Sequence, residues 1–206
     1  VRQAINYAVD KSSVLNATGG NQFATVSNTI LPASVSGHAD YDLYPSAGGA
    51  GDVAKAQQLL TEAGHANGFK LTLDIRSSPV MQRQAEALQQ ALKRVGIDVS
   101  LNVIDVSTYY ETIGTPSQQH DAAITGWCPD WPSGGSCLPP LCHGRNITPK
   151  GNTNLAQLND PGVNAKIDEI AKLTDGQAAN AAYGELDKQI MELAPIVPLL
   201  YEKVLM

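Results

Sequence analysis

At 206 residues, with 43% hydrophobic residues and a formal net charge of −6, the chain can build a sizeable core and reads as a single domain over 1–206. The acidic balance excludes a nucleic-acid surface, because phosphate contacts need clustered Lys and Arg and the richest basic run is Lys93–Arg94. No apolar run is long enough to span a bilayer.

The opening residues, VRQAINYAVDKSSVL, place Ala4, Ile5, Ala8 and Val9 at helical spacing and predict one helix. This helix has no cap before it, and the closing PIVPLLYEKVLM stops in an apparent strand. The chain is therefore expected to be an excised piece of a longer protein. Residues 19–51 are polar and glycine-rich, with Phe23, Val26, Ile30 and Leu31 as sparse anchors, and read as a long surface loop. DVAKAQQLLTEAG then predicts a helix capped by Asp52 and stopped by Gly64. In NGFKLTLDIRSS, Phe69, Leu71, Leu73 and Ile75 alternate with polar residues, which is strand period. SPVMQRQAEALQQALKRVG reads as a helix with Ser78 as cap and Pro79 at its first position. Ile97, Val99, Leu101 and Val103 form a second alternating strand. STYYETIG is a short helix and HDAAITGW a third strand. DPGVNAKIDEIAKLT is a helix capped by Asp160, GQAANAAYGELDKQIMELA another, and IVPLLYE a last strand. This order is α/β. The unit 69–76, 79–95, 97–104 is a βαβ crossover, so its strands are parallel neighbours.

Ligands in open α/β sheets sit beyond the carboxyl ends of strands. The stretch TGWCPDWPSGGSCLPPLC, residues 125–142, follows such an end and is the expected binding loop. It holds both tryptophans and all three cysteines, with Pro129, Pro132, Pro139 and Pro140. The cysteine spacings match no common metal set, even with His143 beside Cys142, so neither a metal nor a cofactor is expected. Counting leaves any pairing among Cys128, Cys137 and Cys142 open, with one thiol over. A disulfide would suit an oxidising, exported setting.

Six phrases resemble, in order, the second lobe of family 5 extracellular solute-binding proteins of ABC importers, the dipeptide, oligopeptide and nickel class. They are VRQAINYAVDK, AKAQQLLTEAGHANGFKLTL, LQQALKRVGIDVSLNVID, DAAITGWCPDWP, LNDPGVNAKIDE and ELDKQIMELAPIVPLLY. The resemblance implies a type II periplasmic-binding-protein-like lobe, a mixed, mostly parallel sheet flanked by helices. It implies a two-lobed parent that closes on a small peptide or other solute and delivers it to ABC permease subunits. The missing N-terminal lobe would precede Val1. DWPSGGSCLPPL is similar to actinobacterial members, which implies an extracellular, membrane-anchored lipoprotein as the parent.

The same resemblance assigns roles. Asp130, three residues after Trp127, matches the acid that pairs with a peptide α-ammonium group, where a charge-assisted bond is strong. An aspartate there also suits a turn before Pro132. Trp127 and Trp131 offer walls that can stack on a ring or hold a cation, one expected buried and one facing the cleft. Arg83 matches an arginine that meets a ligand carboxylate, although exposed helix arginines are common. Tyr109 and Tyr110 could line the cleft or pack in the core. The strand before Trp127 lacks the arginines of some oligopeptide binders. Cys128 matches a cysteine paired with one before this chain, which leaves Cys137 and Cys142 as the local pair. Two other functions compete. A hydrolase would use Asp121 and Asp130 as acid and base, but these residues should lie at opposite edges of the sheet. A peptide-sensing receptor lobe would keep the binding site and change only its partner.

Overall fold

The computed structural model describes residues 1–203. The opening segment forms two helices, not one: α1 (Arg2–Ala8) and α2 (Lys11–Thr18). Val9 turns to extended backbone, and the Asp10 carboxylate accepts the Ser13 amide at 2.8 Å and the Ser12 hydroxyl at 2.7 Å. An aspartate with two serines behind it satisfies a new helix start better than it continues an old one. Lys11 is buried, and its ammonium donates to Ser27 O at 2.8 Å and Asn28 Oδ1 at 2.9 Å. Burial pulls its pKa down to about 8, although the Asp42 charge works the other way.

Helix α3 (Val53–Glu62) starts on Asp52 as expected, with Lys55 N donating to Asp52 Oδ1 at 2.9 Å. Strand β2 (Phe69–Arg76), helix α4 (Pro79–Lys93) and strand β3 (Ile97–Ile104) form the expected crossover. The two strands are parallel and in register from Phe69–Ile97 to Arg76–Ile104. Ser78 stands at the cap position of α4, but its side chain caps nothing. After β3 comes the short helix α5 (Tyr109–Ile113), then strand β4 (Ala122–Ala123). β4 joins the other side of β2, so the sheet order β3-β2-β4 is wholly parallel. The expected 120–127 strand shrinks to this pair because the chain peels away after Ile124, whose amide still donates to Asp74 O at 3.1 Å. Helix α6 (Leu138–Cys142) follows, then α7 (Pro161–Ile170) and α8 (Gly176–Glu192).

The stretch read as a loop over 19–51 contains strand β1 (Ala24–Val26). It pairs antiparallel with β5 (Leu200–Glu202), so the last strand leaves the parallel sheet and forms a separate ribbon. The rest of the stretch is an anchored strap, since Leu31, Val35 and Tyr44 are buried.

Two main apolar clusters fill the fold. One packs α1 to α4 on the parallel sheet through residues such as Ala8, Leu60, Ile75, Leu92 and Ile97. The other joins the strap to α6, α7 and α8 through Leu31, Leu138, Ile167, Leu186 and Ile190. Each fully buried aliphatic side chain contributes roughly 1.5–3 kcal/mol by leaving water. The predicted alternation holds through Leu73, Ile75, Ile97 and Val99 but fails at Val103, which is 56% exposed where β3 emerges. Asp74 is buried on the other face of β2. Its carboxylate accepts from Asn102 Nδ2 at 2.7 Å, His120 Nδ1 at 2.8 Å and the His120 amide at 3.2 Å. Those donors tie β3 and the approach to β4 onto the central strand. No helix among the described residues is long and apolar enough to cross a membrane.

On α8, Asp187 is fully buried and accepts the Ile30 and Leu31 amides, each at 3.1 Å. Replacing Asp187 by Ala would strand both amides in the core and cost roughly 2–4 kcal/mol. Urea unfolding of the Asp187→Ala variant should show that loss as a lower midpoint.

Candidate ligand-binding site

Because β2, β3 and β4 run the same way, their carboxyl ends share one edge of the sheet. Exposed apolar residues stand at or after these ends: Val103 near the end of β3 and Val106 just beyond it, Tyr110 on α5, and Trp127 and Trp131 after β4. Water-facing groups of this kind mark an interaction surface when they gather in one place. A hollow of about 220 Å³ opens at the same edge, lined by Arg76, Ser77, Ser78, Gln82 and Val103. A broader depression of about 730 Å³ lies at the other end of α4, around Ser46, Gly51 and Arg94. It is open, and the Arg94 guanidinium is already engaged by Ala50 O at 2.7 Å, which leaves the carboxyl edge as the candidate.

The tryptophan loop is held by its own polar groups and by α8. Trp127 Nε1 donates to Ser136 O at 2.7 Å. Ser136 Oγ donates to Trp131 O at 2.7 Å and lies 2.9 Å from Ser133 O. The Ser36 amide of the strap donates to Pro132 O at 3.1 Å, and the Ser133 hydroxyl reaches Asn180 Oδ1 on α8 at 2.9 Å. Gly134 lies so close to Tyr183 that any side chain there would collide with the ring. Neither tryptophan is buried, contrary to the expectation that one would be: Trp127 is 39% exposed and Trp131 55%. Asp130 lies between them, exposed. Its carboxylate takes no hydrogen bond among the described residues, so it does not cap the Pro132 turn and its acceptor sites remain open.

The other expected site residues make contacts of their own. Arg83 is exposed and donates from Nε to Ala17 O at 3.2 Å, the last turn of α2. The charge suits a helix carboxyl end and ties α4 to α2. Tyr109 is 1% exposed, its hydroxyl donating to Ile124 O at 2.5 Å and lying 3.3 Å from Asp74 O. Burial pushes its phenol well above the usual range. Its ring meets Tyr110 edge-on at 5.4 Å, and Tyr110 is the exposed member of the pair. Arg76 escaped the sequence reading. It is the last residue of β2, lines the hollow and makes no side-chain hydrogen bond or ion pair among the described residues. Its position at a strand's carboxyl end was the available signal.

All three cysteines are free thiols in this structure, which does not show the expected local disulfide. Cys137 and Cys142 bracket α6 five positions apart. A helical rise of about 7.5 Å over five residues exceeds the Cα separation of about 7 Å that a disulfide can bridge. Both are buried, and burial pushes the Cys142 thiol up to about 12 and raises Cys137 as well. Cys128 is exposed. His143 does not join them in a metal site: its Nδ1 accepts the Arg145 amide at 3.0 Å and its Nε2 faces Asp168 at 3.4 Å. Among the described residues no cluster of three or more His, Cys, Asp or Glu could hold a metal ion. Asp121, the proposed partner of Asp130 in a hydrolase, accepts the Thr72 amide at 2.8 Å before β4 begins, whereas Asp130 lies in the loop beyond its end. Titration with a chromogenic disulfide reagent should find one fast thiol, lost in Cys128→Ser, and two more only after denaturant.

A family profile described as bacterial extracellular solute-binding proteins, family 5 middle, matches residues 1–149. Heme-binding protein A of Haemophilus influenzae is 29% identical over 203 residues, covering 96% of this chain and 35% of that protein. Among solved structures, clavulanic acid biosynthesis oligopeptide binding protein 2 superposes with a TM-score of 0.90 at 32% identity, over 98% of this chain and 39% of that one. The periplasmic binding protein DppA from Helicobacter pylori, solved in complex with the peptide STSA, gives 0.87 at 25% identity, over 98% and 38%. The chain therefore spans well under half the length of these relatives.

Proposed function

We propose that this chain, which belongs to the bacterial extracellular solute-binding proteins of family 5, is one ligand-binding lobe of an ABC importer's substrate-binding component and takes a peptide as its solute. The observation that carries this reading is the unengaged Asp130 carboxylate between two exposed indoles, on a loop beyond the carboxyl edge of a parallel sheet. A peptide amino terminus is a cation with apolar substituents, and this loop offers a carboxylate with apolar walls. The charge-assisted bond gains strength as a second lobe closes and excludes water. The rest of the relatives' length supplies that lobe in this reading. The peptide-bound Helicobacter relative and the oligopeptide-binding protein support the choice of solute.

Among the described residues Arg76 makes no side-chain hydrogen bond or ion pair and is available to an acidic ligand group, beside a Ser78 hydroxyl that caps nothing, whereas Arg83 already spends its Nε on Ala17 O. Binding proceeds without bond-making, by hinge closure, and a permease pair receives the peptide. The parent acts outside the cell membrane as an anchored lipoprotein of an actinobacterium-like organism. Calorimetry on the two-lobed protein with tri-alanine tests the reading. Asp130→Asn keeps the shape and removes the charge, and should weaken binding by roughly ten-fold or more, the value of one charge-assisted bond. Unchanged affinity would remove Asp130 from the site.

A further inference from the structure

Ser136 bonds to both tryptophan residues. Its carbonyl takes the Trp127 indole N–H at 2.7 Å, and its hydroxyl donates to the Trp131 carbonyl at 2.7 Å. The residue is 1% exposed, in a single 3-10 turn, Gly134–Ser136. That turn is pressed on α8 by the Gly134–Tyr183 contact and the Ser133–Asn180 bond. One buried residue thus fastens both ends of the Trp127–Trp131 segment, one through a side chain and one through the backbone. Asp130 lies inside the closed segment. A small buried residue held on a rigid helix can set such a spacing before any ligand arrives, so less ordering remains to be done on binding.

We propose that Ser136 is the positioning residue of this loop: it ties the Trp127 indole to the backbone at Trp131 and so closes the segment that carries Asp130. The proposal rests on the reading that these three side chains meet the ligand. It also assigns each ring a different task. Trp127 has spent its only polar atom on Ser136 and presents only apolar surface and its π face, suited to an apolar group or a cation. The Trp131 indole N–H has no acceptor among the described residues and stays available as a donor.

The chain has two tryptophans, so its indole N–H groups give two resonances in a nitrogen-15 spectrum, assigned with Trp127→Phe. In the unsubstituted 206-residue chain the Trp127 proton should exchange with solvent at least ten-fold more slowly than that of Trp131. Equal rates would overturn the clamp without any variant, so a Ser136→Ala protein that failed to fold would not shelter it. Ser136→Ala leaves the carbonyl that accepts the Trp127 indole and removes the hydroxyl that holds the turn against Trp131 O. The loosened turn should raise Trp127 exchange at least ten-fold, and Ser136→Thr, which keeps the hydroxyl, should restore it. Tri-alanine affinity of the two-lobed form should fall about ten-fold in Ser136→Ala and recover in Ser136→Thr. Unaltered exchange in Ser136→Ala, with affinity still lost in Asp130→Asn, would sink the clamp and spare the binding loop. Released exchange with affinity unchanged in both variants would sink the positioning role together with the ligand reading on which it rests.

Discussion

One buried carboxylate governs how the strap and α8 are arranged. Asp187 sits on α8 with no exposure and accepts two consecutive amides, Ile30 and Leu31. Burial raises its pKa, while the two amides and the neighbouring Tyr41 work against the rise. A carboxylate in such a place costs several kcal/mol unless its acceptor sites are filled. The strap must therefore lie where it lies. Leu31 O is then free to collect the His38 Nδ1 donor at 2.7 Å and the Tyr201 hydroxyl at 3.1 Å, which brings the β1–β5 ribbon to the same point.

From that anchor the strap reaches the tryptophan loop. Gly37 and Gly184 allow strap and helix to approach more closely than any side chain would permit. The next contact is Ser36 on Pro132. The parallel sheet supplies the edge from which the loop departs, and α8 with its strap decides where it goes. Two cores therefore divide the work. One backs the parallel sheet, and the other joins the strap to α8, on which the 3-10 turn after Trp131 rests.

Much of this was legible from residue order. Asp52 and Asp160 announced helices because an aspartate ahead of an apolar stripe has one good use, and both carboxylates make the cap. The β2-α4-β3 unit followed from two clean alternations flanking one long amphipathic run. The break at Val9 was hidden because apolar spacing continues across it, while Asp10 and its serines decide otherwise. β1 and β5 were hidden because three residues carry no period. Their pairing joins positions at opposite ends of the chain.

Side-chain destinations were the least legible part of the site. Arg83 has the right residue type near a strand's carboxyl end, yet Ala17 O, sixty-six positions away, claims it. Tyr109 and Tyr110 are adjacent and chemically alike, and only packing on β2 tells which faces water. Cys137 and Cys142 looked like a local pair until α6 set the spacing between them. The Asp130 carboxylate takes no hydrogen bond among the described residues, so its expected role rests on its place in the loop. A crystal structure of the two-lobed protein with a bound peptide tests that point most directly. The account predicts the peptide ammonium within hydrogen-bond distance of Asp130, with Trp127 and Trp131 on either side. A peptide seated elsewhere, with the Asp130 carboxylate facing solvent, would contradict it.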